Sequence, residues 1–344
     1  MREIEGKERF LAFMQQPSTF SEIQDPQSAF AHESIQSFLS TRPLRTKTDC
    51  DAFLAEFAPY LTRIDTFHAG MLALLCGSTV ERGGDLSIPF EHTMNLLVHQ
   101  LRLVKALAER NESLSPEDTF RRYAEEVRAE KALPLTIPAA MTMLCRDKER
   151  RKQWQQRTDV VELVTELEQA GLIPYYLERV FTLLDDKELL ILDPTNRRAF
   201  LTRLIGVQNV MYHCYALLQD AILQYVGPGY LNAAPTDPQA VRYAKNDHLT
   251  PADYQAAREL SDYQRFNFTY PGGLFFPGSA PFEEVPTLGG MPFLIIEPKR
   301  MHFQWDPANM YPVLHEALQA RIEIVRELSH EELAKRNFLS FFHN

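Results

Sequence analysis

The sequence predicts a mainly α-helical protein of the α+β class, with a multi-helix, bundle-like lobe and a small antiparallel β cap near the C-terminus. Apolar residues recur at helical spacing through the first two thirds of the 344 residues. Beyond about residue 226 the composition turns to Pro, Gly and Phe, and apolar residues alternate as they do in strands. The predicted division is a helical lobe at 1–226 and, packed on it, a smaller lobe at 227–344 that ends in a helix.

The first lobe is predicted to be a series of amphipathic helices. An apolar stripe over 61–75 indicates one helix, which Gly77 is expected to end. A second helix is expected to begin near Ser87 and Pro89, since serine caps helices and proline is tolerated in the first turn. A third is expected at Ser115, where the motif Ser-Pro-Glu-Asp has the form of a capping box.

The helical pattern breaks between residues 188 and 205. An apolar run reaches the turn signal "DPTN" and then resumes, which predicts a β-hairpin, with a helix as the competing interpretation. A largely apolar helix is expected from Val207 to Val226, before the "GPG" stretch at 227–229.

The C-terminal lobe is predicted to hold a small aromatic sheet. The segments "RFNFTY" (265–270) and "RMHFQW" (300–305) alternate apolar and polar residues, which is typical of strands with one buried face. The stretches "YPGG" and "LGGM" predict turns between strands. The segment from Tyr311 to Leu333 is predicted to return to helix.

Composition restricts the partners and the compartment. The net charge of −10 argues against nucleic acid, because such binding depends on Lys and Arg neutralising phosphates. No stretch reaches the roughly 18 apolar residues of a membrane span. The four cysteines have no CxxC spacing, and the N-terminus lacks the apolar core of a signal peptide. A cytoplasmic protein with buried free thiols is expected.

One polar stripe on the helix at 207–226 is the strongest candidate site. Asn209, His213, Asp220 and Gln224 fall within one arc at 100° per residue. If the stripe faces a cleft, His213 is a candidate general base, and His213→Ala should leave stability within about 1 kcal/mol. Alternatively, the stripe is the solvent-exposed side of the helix, or His213 and Asn209 form hydrogen bonds with buried backbone groups.

Metal and cofactor motifs are weak in this sequence. His92 and His99 share a helix face but lie two turns apart, whereas paired metal ligands on one helix usually lie one turn apart. The stretch "GSTVERGGD" lacks the lysine of a phosphate-binding loop and follows a helix instead of a strand. We therefore expect no metal site, and the sequence names no cofactor.

Three blocks of the chain carry a resemblance to a known group of proteins: "LLCGSTVERGGD" (74–85), "LLDDKELLILDPTNRRAFLTRLIGVQNVMYH" (183–213) and "FEEVPTLGGMPFLIIEP" (282–298). In their order and spacing, the chain resembles a family of uncharacterised soluble bacterial proteins. The resemblance implies a bacterial, mostly helical protein with an aromatic C-terminal cap. The resemblance implies no catalytic residue, cofactor or partner for this chain.

Two classes of function follow from these patterns. The first is a cytoplasmic interaction protein, regulatory or protective towards a partner, since no catalytic motif is evident. The alternative is an enzyme or small-molecule binder, with a pocket between the helix of Asn209 and His213 and the aromatic cap. Phe275, Phe276 and Phe282 would then line an apolar wall. The sequence predicts neither the ligand nor the oligomeric state.

Overall fold

The computed structural model describes residues 2–41, 44–110, 112–174, 176–259, 263–271, 273–275, 278, 280–301, 311–335 and 338–342. The internal contacts divide the chain into two compact units, Met1–Phe181 and Thr182–Asn344. The sequence-based boundary at 226 differs from this division, because the helix before it packs in the core of the second unit.

The first unit is built from helices. They are α1 Arg2–Met14, α2 Phe20–Gln24, α3 Pro26–Phe30, α4 Glu33–Thr41, α5 Lys47–Phe57, α6 Thr66–Glu81, α7 Phe90–Glu109, α8 Pro116–Arg122, α9 Ala124–Arg146, α10 Lys148–Gln155, α11 Thr158–Gln169 and α12 Leu177–Phe181, with a short 3-10 helix at Ala58–Thr62. None of the helices within the described ranges is both long and apolar enough to cross a bilayer.

Of the helix starts predicted for this unit, the one at Ser115 is confirmed, while another predicted cap and one predicted end are wrong. α7 begins at Phe90 with Pro89 at its N-cap and no side-chain cap hydrogen bond, so Ser87 does not cap it. Ser115 caps α8 as expected, accepting a hydrogen bond from the Asp118 N–H at 3.1 Å. Gly77, in contrast, does not end α6, which continues to Glu81. The glycine is instead a packing residue, because a Cβ atom placed on it would lie 2.9 Å from the Cα atom of Ala139.

The central packing of the first unit is therefore a close approach of α6 and α9. A second glycine one heptad earlier, Gly70, faces Ala132 in the same way, since a Cβ atom placed on Gly70 would lie 2.9 Å from the Cβ atom of Ala132. Glycine on one helix and alanine on the other let the two backbones approach where larger side chains would hold them apart. Glycine usually destabilises a helix interior by about 1 kcal/mol relative to alanine. At Gly77 and Gly70 the close packing against α9, which a Cβ atom would obstruct, offsets that cost.

Glu168 on α11 supplies a pH-dependent test of the first unit. Its Oε1 accepts the Glu178 N–H at 3.1 Å, but burial raises the pKa of its carboxyl above the ordinary value. Folding therefore favours the protonated form, and this contribution is complete below the unfolded pKa and lost as pH rises through the folded pKa. Glu168→Gln keeps an acceptor and removes the charge. We expect the variant to be more stable than the parent at pH 7, by less than about 1 kcal/mol.

Urea unfolding of the parent and of Glu168→Gln at pH 7 and pH 4 checks this expectation. The gain should shrink at pH 4, where the parent carboxyl is also largely protonated. Glu162→Gln, at an exposed position of α11, is the matched control and should stay within about 0.5 kcal/mol at both pH values. A loss of stability in Glu168→Gln at pH 7 would contradict the assignment.

The second unit combines strands and helices. They are β1 Lys187–Asp193, β2 Arg198–Ile205, α13 Met211–Val226, α14 Pro238–Lys245, α15 Pro251–Glu259, β3 Phe266–Tyr270, β4 Gly273–Phe275, β5 Thr287–Leu288, β6 Met291–Pro298, β7 Arg321–Glu327 and α16 His330–Lys335. Short 3-10 helices lie at Tyr230–Asn232, Phe282–Glu284 and Leu339–Phe342.

These strands form one mixed sheet, with the order β4-β3-β6-β1-β2-β7 and with β5 paired to β6. The predicted hairpin is confirmed as β1 and β2, which pair antiparallel from Lys187 with Leu204 to Asp193 with Arg198. β1 also pairs parallel with β6, so the hairpin and the C-terminal strands belong to the same sheet. The α+β class is confirmed, but the sheet is larger than a small hairpin and a cap.

Both faces of this sheet are covered. On one face, side chains such as Leu189, Ile191 and Phe200 pack with α13 and α14. On the other, Leu190, Leu192, Ala199, Leu201 and Phe293 pack with Leu333, Phe338 and Phe342 near the C-terminus. Double coverage explains why β1 has a continuous apolar run instead of an alternating one.

The C-terminal expectations had mixed outcomes. "RFNFTY" forms β3, and "LGGM" forms the turn between β5 and β6 with positive φ at Gly289 and Gly290. Of "RMHFQW", residues 302–305 lie outside the described residues. The helix predicted from Tyr311 to Leu333 is wrong over 321–327, which form β7. Ile322 and Ile324 alternate with charged residues there and face the core beside β2.

Candidate functional site

His213 lies on α13 and is buried. Its Nδ1 accepts the Gln208 N–H at 3.0 Å, and its Nε2 lies 2.7 Å from the Ala244 carbonyl oxygen. Because a carbonyl only accepts, the proton belongs on Nε2 and the ring is neutral. The ring also stacks on Tyr311 at 4.6 Å between centroids. Both ring nitrogens therefore form hydrogen bonds with backbone groups. The cavity beside the ring has a volume of about 10 Å³, which is at the lower limit for one water molecule.

Asn209 precedes the first turn of α13 and holds a different segment. Its Oδ1 accepts the Phe282 N–H at 2.7 Å, and its Nδ2 donates to Glu283 Oε2 at 3.1 Å. These bonds fix the 3-10 turn at Phe282–Glu284, so Asn209 positions that turn.

Asp220 is buried in a third network. Its carboxylate accepts hydrogen bonds from Lys245 Nζ at 2.6 Å, Thr236 Oγ1 at 2.9 Å and Gln224 Nε2 at 2.8 Å. Lys245 and Thr236 were missed by sequence reasoning, because they lie on other segments and only the fold brings them to α13. Three donors fix the carboxylate, and the bond from Lys245 links α13 to α14.

The predicted constellation of Asn209, His213 and Asp220 is therefore split into three networks. The structure brings Asp220 and Gln224 together, but neither His213 nor Asn209 joins them. Asn209 lies before α13 begins at Met211, so the helical projection does not apply to it. Asp220 lies seven positions after His213 on α13, which is about 10 Å along the helix axis.

The predicted aromatic wall is divided in the same way. Phe275 on β4 and Phe282 are both buried and belong to the core on the α13 face of the sheet. Phe276 lies outside the described residues. Phe282 also lines a surface cavity, while Phe275 is a core residue.

Two cavities adjoin these predicted residues. The first, which we call the β7 groove, has a volume of about 560 Å³ and lies between the C-terminal half of α13 and β7. Its lining includes Asp220, Ala221, Gln224, Tyr225, Lys245, Arg321, Ile322, Glu323 and Ile324. The second, the Phe282 groove, has a volume of about 520 Å³ and includes Lys187, Glu188, Phe282, Glu283, Val285 and Met291.

The candidate metal ligands do not form a cluster. His99 is exposed and His92 is half-buried on α7. Within the part of the chain that the structure describes, no group of three or more His, Cys, Asp or Glu side chains is arranged to hold a metal ion.

The cysteines are poorly suited to nucleophilic chemistry. All four are buried free thiols. Burial raises the pKa of the thiols of Cys76, Cys145 and Cys214 to about 12. Since the thiolate is the reactive form, these side chains are inert packing residues at neutral pH.

No protein family, curated protein or solved structure matches this chain. The resemblance to a group of bacterial proteins therefore stays an expectation from sequence, and the functional argument proceeds from the geometry of the second unit.

Proposed function

We propose that this chain is a cytoplasmic bacterial interaction protein that takes an extended segment of a protein partner into the β7 groove as an added strand. The observation that carries the proposal is an edge strand with an open groove beside it. β7 pairs with β2 along one side, and no strand among the described residues pairs with its other side. Unpaired backbone groups at a sheet edge are the template for strand addition.

The side chains of the groove suit a strand whose residues alternate. Ile322 and Ile324 point to the α13 face of the sheet, and an added strand would lay every second side chain beside them. Ala221 and Tyr225 of α13 form the opposite wall, and Tyr225 is an exposed large apolar side chain. Apolar anchors on the partner would cover this wall, as buried aromatic residues do in other interfaces.

Charges at the edge favour a specific partner over indiscriminate pairing. Arg321 Nε and Glu323 Oε1 form an ion pair at 2.7 Å on β7, and both side chains are about half exposed. Charged side chains on an edge strand oppose sheet-to-sheet aggregation. A docking segment with an acid near Arg321 and a base near Glu323 would be preferred.

The wall of the groove is preorganised for binding. Asp220 is fixed by Lys245, Thr236 and Gln224, and two of these three donors line the groove with it. A wall that is already ordered loses little conformational freedom when a partner docks.

A small-molecule binder is the second candidate, favoured by one observation. Asn209 fixes the Phe282–Glu284 turn, and Phe282 and Glu283 line a cavity of about 520 Å³ with Val285 and Met291. A cavity of that size with an apolar wall and a few polar groups is typical of ligand sites. This version keeps Asn209 as a positioning residue and assigns no chemistry to His213.

Site-specific photo-crosslinking in the source cell tests the proposed function. A photoreactive phenylalanine analogue at Tyr225 should attach to a polypeptide, whereas the same analogue at Tyr176 in the first unit should not. The two tyrosines are matched, because each is 48% exposed. Ala221→Arg, which fills the groove, should abolish the attachment at Tyr225 without lowering the Tm.

Native mass spectrometry of the protein from its own source separates the two candidates. A second polypeptide that is lost in Ala221→Arg supports the interaction protein, and a retained small mass supports the small-molecule binder. Equal attachment at Tyr225 and Tyr176, or attachment that survives Ala221→Arg, would contradict docking at β7.

A further inference from the structure

The last residue of α14 already pairs with the chain at the start of β7. The Ala320 N–H, one residue before β7, donates to the Lys245 carbonyl oxygen at 3.1 Å. Because Lys245 belongs to α14, this N–H points away from β2. Backbone groups of every second residue in a strand point to the same side, so those of Ile322 and Ile324 continue this row. An added strand would therefore pair with β7 directly beyond the end of α14.

The open edge of β7 is short. Regular pairing with β2 runs from Arg321 to Ile324, and the register then shifts so that Val325 opposes no residue of β2. A bulge of this kind bends the strand and interrupts its ladder. An added strand is therefore limited by α14 at one end and by the bulge at the other. An internal segment of a partner must turn away at both ends of so short an edge, whereas a chain terminus leaves at one end only.

The charges of the β7 groove differ in whether they are paired within it. Three acidic and two basic side chains line the groove, which leaves one negative charge in excess. Lys245 Nζ pairs with Asp220 Oδ2 at 2.6 Å, and Arg321 Nε pairs with Glu323 Oε1 at 2.7 Å. The remaining charge in the lining is the carboxylate of Asp247.

Asp247 places this excess charge near the end of the groove that α14 closes. It follows Lys245 by two residues, and its side chain is 50% exposed. The His248 Nε2 atom lies 3.6 Å from Asp247 Oδ1, but that ring is 89% exposed, and exposed ion pairs are weak. A cation of a partner can therefore pair with Asp247, whereas a C-terminal carboxylate would be repelled.

We propose that the segment docked at β7 is the free amino terminus of a partner chain, which runs parallel to β7 and pairs its α-ammonium group with the Asp247 carboxylate. The direction is parallel because Asp247 lies near the end of the groove where β7 begins. Every second side chain of the segment lies beside Ile322 and Ile324. This inference rests on the proposed docking at β7 and adds which part of the partner docks.

The polypeptide attached at Tyr225 in the source cell supplies the first test. After digestion with trypsin, tandem mass spectrometry of the attached peptide should identify the first residues of the partner, with an unmodified α-amino group. An internal peptide at Tyr225 would overturn this inference and leave docking at β7 intact. Absence of any attached polypeptide would overturn both.

Short peptides test the charge directly. The probe is Ser-Val-Thr-Val-Thr with a free α-amino group and fluorescein at its C-terminus, and fluorescence anisotropy measures its binding. We expect a Kd below about 1 mM. Acetylation of the α-amino group should weaken binding about fivefold, the upper end of the usual effect of an exposed ion pair. Acetyl-Lys-Val-Thr-Val-Thr, which has only a side-chain ammonium group, should bind as weakly as the acetylated probe.

Asp247→Asn assigns the effect to one carboxylate. In this variant the free and acetylated probes should bind equally, so that the fivefold ratio falls to about one. Glu284→Gln removes an exposed acid outside the lining of the β7 groove and is the matched control, in which the ratio should stay near five. Ala221→Arg should abolish binding of both probes.

Three results would each overturn the proposal: equal binding of the free and acetylated probes to the parent, full recovery of binding with acetyl-Lys-Val-Thr-Val-Thr, or an unchanged ratio in folded Asp247→Asn. The first two comparisons use the parent protein, so they decide the proposal even if Asp247→Asn fails to fold. Loss of both probes in Ala221→Arg, together with equal binding to the parent, would show docking at β7 without selection of an amino terminus.

Discussion

Replacing His213 with alanine is expected to lower the free energy of unfolding by about 3 kcal/mol. The substitution deprives the Gln208 N–H and the Ala244 carbonyl of a buried partner, and such a loss costs about 1–3 kcal/mol per group. It also removes a ring that stacks on Tyr311, and the cavity left in the core adds to the loss.

Urea unfolding followed by circular dichroism measures this effect, and hydrogen exchange in α13 locates it. His99→Ala is the matched control, since His99 is exposed on α7, and it should change stability by no more than about 0.5 kcal/mol. A loss below about 1 kcal/mol for His213→Ala would support the hypothesis of a cleft-facing base instead. The pattern of hydrogen bonds favours the structural role, which was one of the alternatives from the sequence.

Local signals in the sequence predicted local structure well. The cap residue Ser115 marks the start of α8, although the reciprocal bond of a full capping box is not formed, and the "DPTN" turn lies between β1 and β2. In both cases the residues that decide the structure lie within a few positions of one another. Alternation of Phe266 and Phe268 likewise predicted β3, because a strand period of two residues shows itself within a short segment.

The sequence did not predict the pairing of strands that lie far apart along the chain. β7 is a strand because it pairs with β2, and Arg321 lies opposite Ile205, more than a hundred residues earlier. Its pattern of two isoleucines among charges is short, and the apolar residues before it can be fitted to a helical period. The same limit applies to Asn267, because the alternation of apolar and polar residues in this segment predicted a solvent-exposed side chain. The side chain is instead buried, and its Oδ1 accepts the backbone N–H groups of Arg300 and Met301, which follow β6.

The sequence did not predict, for a related reason, that Asn209, His213 and Asp220 lie in separate hydrogen-bond networks. A helical projection gives the direction of side chains but not what lies opposite them. α14 brings the Ala244 carbonyl to His213 and the Lys245 ammonium group to Asp220. Two neighbouring residues of α14 thus supply the hydrogen-bond partners of two polar side chains of α13. These partners lie outside α13. The polar stripe of α13 alone was therefore equally consistent with buried hydrogen bonds and with a cleft.

Gly77→Leu is expected to destabilise the first unit by at least about 3 kcal/mol. A single Cβ atom at this position would already lie 2.9 Å from Cα and 3.0 Å from Cβ of Ala139, and the rest of a leucine side chain adds to the clash. The obstructing Cα atom belongs to the backbone of α9, so the two helices must separate. Overpacking in cores typically costs about 1–3 kcal/mol, and a clash with backbone belongs at the upper end or beyond.

A swap of the two small residues distinguishes close packing from a general intolerance of substitution. Gly77→Ala alone should destabilise, because the added methyl group meets Ala139, although alanine favours helix over glycine by about 1 kcal/mol. Ala139→Gly should restore part of that loss in the double variant, with a coupling energy of about 1 kcal/mol measured by urea unfolding. Ser78→Leu, one residue along and exposed on α6, should cost less than about 0.5 kcal/mol. If Gly77→Ala stabilised the protein as an exposed helical glycine would, the close approach of α6 and α9 would be refuted.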